Sequence, residues 1–323
     1  MNGVRLAPGP TATATTREAV AARLAGEPAY DLHTHIPLAG RQATLAAVIP
    51  GVPPAPARTT WGELEAHITT HLTPHLRTVA GFEAFVAAGF AAAADDGVSG
   101  VEATLSLAHA RKYGDDPTAL AHRVRALATE TAPGLGVRLF AGLRREYGPK
   151  RFARPLAGVA AGGGFDGVDL TGDELAGPVE DFAGLFATAR AAGLHTRAHV
   201  GEHGPAASVR RAVEVLDLDA VQHGITAAGD PETVRWLARR GTVLHVAPAS
   251  NAVLRGDVAA DRRRLRRLLD GGVVVTVGSD DLLLFDASVR EQVVDLVLDG
   301  TLALDEGVAL LRAGARAWGP PPP

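Results

Sequence analysis

Residues 193–224 read GLHTRAHVGEHGPAASVRRAVEVLDLDAVQHG, and the way this stretch divides sets the parsing of the whole chain. It opens on GLHTRAHV, a short run suited to a strand buried in a sheet. GEHGP then interrupts the run, because glycine favours turns and proline suits the opening of a helix. AASVRRAVEVL follows with apolar residues at helical spacing, and DAVQHG begins a second strand-like run. Strand, loop, helix and strand in that order make one β/α unit of a parallel sheet.

Outward from this unit the same alternation recurs. AYDLHTH (29–35), GVSGVEATLSL (97–107), GVRLFAGL (136–143), FDGVDLTG (165–172), GTVLHVAP (241–248) and GVVVTVGS (272–279) are strand candidates, and amphipathic stretches separate them. Asp230-Pro231-Glu232 has the form of a helix N-cap followed by proline at the first helical position. Eight such units in one chain predict an α/β fold closed as a TIM (β/α)8 barrel, a single domain over residues 16–319 with no internal linker. Residues 1–15, rich in Pro, Thr and Ala, are expected to be a disordered tail, and 320–323 an extended Pro tail.

Composition narrows the function. The 323 residues carry 32 basic and 36 acidic side chains, a net charge of −4, which gives no electrostatic footprint for nucleic acid or an anionic membrane. A small molecule is the expected partner, and the sequence carries no reading of oligomeric state. The absence of cysteine excludes disulfides, zinc ribbons, thiolate nucleophiles and the cysteine-ligated zinc deaminases of nucleic-acid bases. Any metal must be held by His, Asp or Glu. The N-terminal residues lack an apolar signal region, and the stretch AFVAAGFAAAA is too short to span a bilayer, so a cytoplasmic location is expected.

Four short segments carry the chemistry. His33 and His35 alternate on a strand, so both imidazoles project to one face, either as a pair of satisfied barrel histidines or as two ligands of one metal. His199-Val-Gly-Glu202-His203 matches the H-x-x-E-H pattern of a metalloprotease helix, but Gly201, Gly204 and Pro205 forbid an unbroken helix there. On a strand end, His199 is placed to ligate a metal and Glu202 to act as an acid/base from the following loop. Gln222-His223-Gly224 and Gly278-Ser279-Asp280-Asp281 complete the set, although paired aspartates at a strand end also serve as helix caps. All four segments fall at the C-terminal ends of strand candidates, where barrel enzymes gather their catalytic groups.

Taken together, HTH (33–35), DLTGDE (169–174), HVGE (199–202), QHG (222–224) and SDD (279–281) resemble, in their order, the adenosine/adenine deaminase family of the metal-dependent amidohydrolase superfamily. The resemblance covers residues 30–318 and implies a TIM barrel of the metallo-dependent hydrolase type. It implies one Zn2+ per chain held by His33, His35, His199 and Asp280. It also implies catalytic roles for Glu202, protonating a ring nitrogen, for His223, orienting the oxygen nucleophile, and for Asp281, holding another ring nitrogen. Gly172 would offer its backbone N–H to the ring. The implied reaction is hydrolytic loss of ammonia from an amino-purine-like substrate. The alternative is another mononuclear reaction, cyclic amide hydrolysis or removal of a substituted amine from a purine. Three imidazoles and one carboxylate do suit a borderline-soft divalent ion. FDGVDL, the fourth strand candidate, has no lysine that could be carbamylated to bridge two metals.

The resemblance fails at one informative position. Where the family places an acidic ribose contact two residues after the second histidine, this chain has Pro37, which can neither accept a hydroxyl proton nor donate a backbone hydrogen bond. The expected substrate is therefore a free aminopurine, or an adenine compound altered at its sugar or 5′ end. Arg144 and Arg145 follow the third strand on the catalytic side, either as structural ion pairs or as contacts to an acidic substrate group. The long Pro- and Gly-containing connection over residues 37–60, ahead of WGELEAHITTHLTPHL, is a candidate lid. His67, His71 and His75 read as an exposed or lid-lining stripe rather than a second metal site. Arg262, Arg263, Arg264, Arg266 and Arg267 read as a solvated helix face.

Overall fold

The computed structural model describes residues 16–48 and 53–319; both terminal tails expected above lie outside the described residues. Eight strands, β1 (Ala29–Ile36), β2 (Val98–Ser106), β3 (Gly136–Arg144), β4 (Gly167–Thr171), β5 (His195–Val200), β6 (Ala220–His223), β7 (Val243–Val246) and β8 (Val274–Val277), pair in parallel in sequence order. Each expected strand is found in its place, and the fold is the (β/α)8 barrel.

Strand periodicity divides the barrel into two environments. Val168, Leu170, Ala198, Val200, Val221, Leu244, Val246, Val275 and Val277 belong to one apolar core shared with the surrounding helices. Their alternates Asp169, Arg197, His199, Gln222, His245 and Thr276 are buried and polar. The helices supply matching faces. Helix Ala206–Leu216 buries Val209, Ala212, Val213 and Leu216. Helix Pro231–Arg240 begins where the Asp230 side chain accepts from the N–H groups of Glu232 and Thr233, as its sequence indicates. The arginine run lies on helix Val258–Asp270, with Arg262 and Arg266 ion-paired to Asp299 and Asp270 at the surface and Arg264 to the buried Asp261. Among the described residues no helix is long and apolar enough to cross a membrane.

Arg197 crosses the barrel interior, 1% exposed. Its guanidinium pairs with Asp169 and Glu102 at 3.0 Å each, donates to the Leu32 carbonyl at 3.1 Å and lies 3.6 Å from the centre of the Phe140 ring. One cation thus ties β1, β2, β3 and β4 to β5.

The barrel closes at its catalytic end. Asp280 donates its N–H to the His33 carbonyl at 2.7 Å, and its own carbonyl accepts from the His35 N–H at 3.0 Å. This seam needs a glycine beside it. A Cβ on Gly278 would overlap the His33 side chain and lie 2.8 Å from the His33 carbonyl oxygen and 3.0 Å from its Cα. Gly278→Ala should therefore force β8 away from β1. We expect a loss of about 1–3 kcal/mol in stability, the usual range for overpacking. A denaturant midpoint equal to that of the unmodified chain would show that the seam yields freely.

Candidate active site

The strand ends bring His33, His35, His199 and Asp280 together, one candidate ligand atom from each lying within 4.8 Å of every other. His33 Nε2 is 3.2 Å and His35 Nε2 3.0 Å from His199 Nε2, while Asp280 Oδ1 is 3.5 Å and 3.2 Å from the first two. The other side of two of these rings decides the tautomer. His33 Nδ1 lies 3.0 Å from the His245 carbonyl, which only accepts, so Nδ1 carries the proton and Nε2 presents a lone pair. His199 Nδ1 likewise donates to Asp169 Oδ1 at 3.1 Å. Burial opposes ionisation of Asp169, yet His199 and Arg197 outweigh it and hold the carboxyl well below its ordinary range. Two buried imidazole lone pairs therefore face one another across 3.2 Å, beside a carboxylate. That arrangement is repulsive alone and attractive around a cation, so the donor set fits a divalent metal.

Glu202 stands in the loop after β5, and the sequence gives that loop an unusual holder. The Glu174 carboxylate accepts from the N–H groups of Gly201 at 2.7 Å, Gly204 at 2.6 Å and His203. Gly201 has φ +76, a conformation glycine adopts without strain. Glu202 Oε2 is 3.6 Å from His223 Nε2, and Oε1 is buried without a partner. Burial, reinforced by Asp280 and Glu174, raises its carboxyl well above the ordinary range, which favours the protonated acid. His223 ends β6 with φ +65, a strained value for a non-glycine residue. Burial pushes its imidazole down to about 3, so the ring is neutral. Asp281 is buried, with Oδ1 unpartnered. Burial pushes its carboxyl up to about 7, against the pull of His35 and with the push of Asp280.

A cavity of about 350 Å³ opens over this cluster. His35, His199, Glu202, His223, Asp280 and Asp281 all reach it, and Gly172 and Arg144 line its wall. All the site residues read from the sequence line one cavity except His33, which is fully buried within the ligand cluster, and Arg145. Arg145 is 4% exposed and donates to the carbonyls of Glu174, Gly177 and His199, so it braces the loops behind the site instead of facing a ligand. Arg144 faces the cavity, but Glu65 at 2.9 Å and Glu146 at 2.8 Å already share its charge. In the long connection, Pro37 and Leu38 line the cavity, and the helix Trp61–His67 beyond it forms part of the wall. The His67 and His71 rings lie 4.9 Å apart, but among the described residues neither they nor His75 line the cavity or join a metal-ligand group.

Four residues escaped the sequence reading: Asp169, Glu174, Arg197 and Glu65. The first two sit in the same DLTGDE motif as Gly172. Their signal was present as acidic residues at a strand end, without any indication of which backbone groups or rings they would meet.

A family model described as adenosine deaminase matches residues 74–305. That span begins after β1, so the placement of His33 and His35 in the cluster comes from the structure. An adenine deaminase of Rhodopseudomonas palustris (strain BisB18) is 39% identical over 150 residues, 46% of this chain and 44% of the relative. The chain spans about half the length of the curated relatives it matches. The crystal structure of an adenine deaminase from Arthrobacter aurescens has a TM-score of 0.79 at 24% identity, covering 92% of this chain and 95% of that one. An amidohydrolase from Burkholderia ambifaria, solved with bound Zn, has a TM-score of 0.74 at 24% identity, covering 96% and 89%. At these identities the structural likeness speaks for the fold.

Replacing Glu174 tests the loop geometry. Glu174→Ala leaves buried N–H groups without an acceptor, each costing about 1–3 kcal/mol. We expect lower stability with metal content retained, because Glu174 touches no member of the ligand cluster. Unchanged stability, read from urea unfolding, would remove Glu174 from the support of this loop.

Proposed function

The chain belongs to the adenosine deaminase family, and from that premise we propose that it is a hydrolytic deaminase with one zinc ion per chain. It would exchange the exocyclic amine of an adenine-type ring for oxygen, consuming water and releasing ammonia. One observation carries the reading: Glu202, His223 and Asp281 surround the His33, His35, His199 and Asp280 cluster on the floor of one cavity. Each also has a buried polar atom with no partner in the protein.

Zinc, held by those four ligands, would supply the Lewis acidity that makes water nucleophilic at neutral pH. The remaining work falls to the chain. Glu202, buried and favoured in its acid form, delivers a proton to the ring nitrogen beside the carbon under attack. At 3.6 Å from His223 Nε2, it borders with that ring the space a reacting oxygen would enter. His223, neutral and fixed by the end of β6, orients that oxygen by hydrogen bonding. Asp281 Oδ1 is free to meet a second ring nitrogen, and the Gly172 N–H a third, which fixes the ring plane over the floor.

Two outcomes test this reading. Purified protein should contain close to one zinc or similar divalent ion per chain, and His33→Ala or Asp280→Ala should lose it, because either removes one of four ligands. Active protein with no metal, or with two per chain, would overturn the single-metal site. Glu202→Gln should keep the metal and the fold while turnover falls at least about a hundredfold, since the amide is nearly isosteric but cannot shuttle a proton. Ammonia release measured on adenine derivatives decides it; undiminished rates in that variant would remove Glu202 from the reaction.

A further inference from the structure

The floor of the cavity is built from carboxylates and imidazoles, but part of its wall has the opposite character. Lys112 and Arg77 both line it, from different segments of the chain. Among the described residues, neither has a carboxylate partner. Lys112, one of only two lysines in the sequence, is half-buried on the turns Leu107–Tyr113 that follow β2. Its Nζ lies 3.1 Å from His109 Nδ1 and 5.4 Å from the centre of the Phe82 ring. Phe82 belongs to the helix Val79–Asp95, which begins just after Arg77. A half-buried ammonium whose neighbours are a neutral ring and an apolar one is poorly compensated by the protein itself.

Other donors lie along the same wall. His109 Nδ1 accepts a hydrogen bond from the Lys112 ammonium, so its Nε2 carries a hydrogen. The Ser106 oxygen accepts from the Ala108 N–H at 3.4 Å, which leaves its hydroxyl hydrogen free to donate. Arg144 contributes little net charge, because Glu65 and Glu146 already pair with it. A cavity of about 350 Å³ also exceeds what a bare bicyclic purine fills.

We infer that this wall recognises an anionic group, a carboxylate or phosphate, carried by the substrate at the end remote from its amine. Resting on the deaminase reading, this assigns the substrate to negatively charged adenine derivatives, in preference to adenine itself or a neutral nucleoside. Pro37 fits the assignment, since the cavity has no acidic contact for a sugar hydroxyl at that position. Recognition passes instead to charge-assisted hydrogen bonds from Lys112 and Arg77.

The experiment compares ammonia release by the metal-loaded enzyme from adenine, adenosine, adenosine 5′-monophosphate, adenosine 5′-carboxylate and 5′-S-carboxymethyl-5′-thioadenosine. The phosphate and carboxylate arms separate the two sources of charge. At least one anionic compound should exceed both neutral ones in kcat/KM by about tenfold, and its KM should rise with salt. Lys112→Gln and Arg77→Gln should each lower the anionic-to-neutral ratio about tenfold, Lys112→Arg should retain most of it, and Arg111→Gln, on an exposed neighbour outside the cavity, should leave it unchanged. A preference for adenine or adenosine, or a ratio indifferent to Lys112 and Arg77, would overturn the inference and leave the deaminase reading standing. If no compound releases ammonia, the deaminase reading fails by itself. Calorimetric binding of the three anions, weakened about tenfold by Lys112→Gln, then upholds the anion site, and its absence overturns that too.

Discussion

The segment after the last strand is joined to the first strand by backbone hydrogen bonds from one residue, and the rest of the site depends on that contact. Asp280 hydrogen-bonds through both its N–H and its carbonyl to β1, at His33 and His35, while its side chain joins those same two histidines in the ligand cluster. Closing the barrel and assembling the candidate ligand cluster are therefore one event. The backbone adopts φ +61 at Asp280 to do both, an uncommon conformation for a residue with a side chain. Asp31 supports the same seam by accepting from the Ser279 N–H at 3.1 Å. Strain of this kind persists only where neighbouring contacts over-determine the position, and here they come from two strands at once.

Beneath the seam, charge is balanced over a chain of contacts from the cluster into the barrel. Asp169 accepts from His199 on one side and from Arg197 on the other, with Thr104 at 2.6 Å, and Arg197 passes the balance on to Glu102. Each member is buried and each has its partners, which is the condition under which ions are tolerated in a dry interior. Removing one leaves the others uncompensated, at about 3–5 kcal/mol for a broken buried pair. The arrangement also has a directional effect. Asp169 holds the His199 ring in the tautomer that presents Nε2 to the cluster, so the polar barrel interior contributes to the chemistry above it.

Much of this was legible in the sequence because the relevant information is periodic and local. Alternation placed the strands, Asp230 and Pro231 marked a helix start, and the site residues fell at strand ends where a parallel barrel gathers them. Glu174 was not legible in its role, because its meaning lies in three N–H groups that only the folded loop after β5 turns toward one carboxylate. Arg197 looked like an ordinary polar residue in GLHTRAHV, since nothing local distinguishes an arginine facing solvent from one crossing a barrel. Gly278 stood in the sequence only as the first residue of the Gly278-Ser279-Asp280-Asp281 segment, whereas its requirement comes from the His33 side chain pressed against it. The adjacent Arg144 and Arg145 were equivalent by position, yet a single step along the chain turns one toward the cavity and the other into the loops behind it.

The division between floor and wall explains why the reaction is easier to read than the substrate. The floor hangs on strand ends, whose positions follow from the hydrogen-bond ladder and admit little variation. Much of the wall comes from the segment between β1 and β2, which packs partly on a separate apolar cluster of Leu64, Leu72, Leu76, Phe85, Leu283 and Leu284. Because that cluster is distinct from the barrel core, side chains such as Trp61, Ile68 and Arg77 can change the cavity without disturbing the strands that hold the ligands. Leu283 and Leu284 stand two and three residues after Asp281, and the Leu283 N–H donates to the Leu38 carbonyl at 2.9 Å, so the wall remains tied to the floor at one edge. On the proposed reading, the chemistry is thus built into the barrel, and the choice of substrate into a layer that the barrel carries but does not dictate.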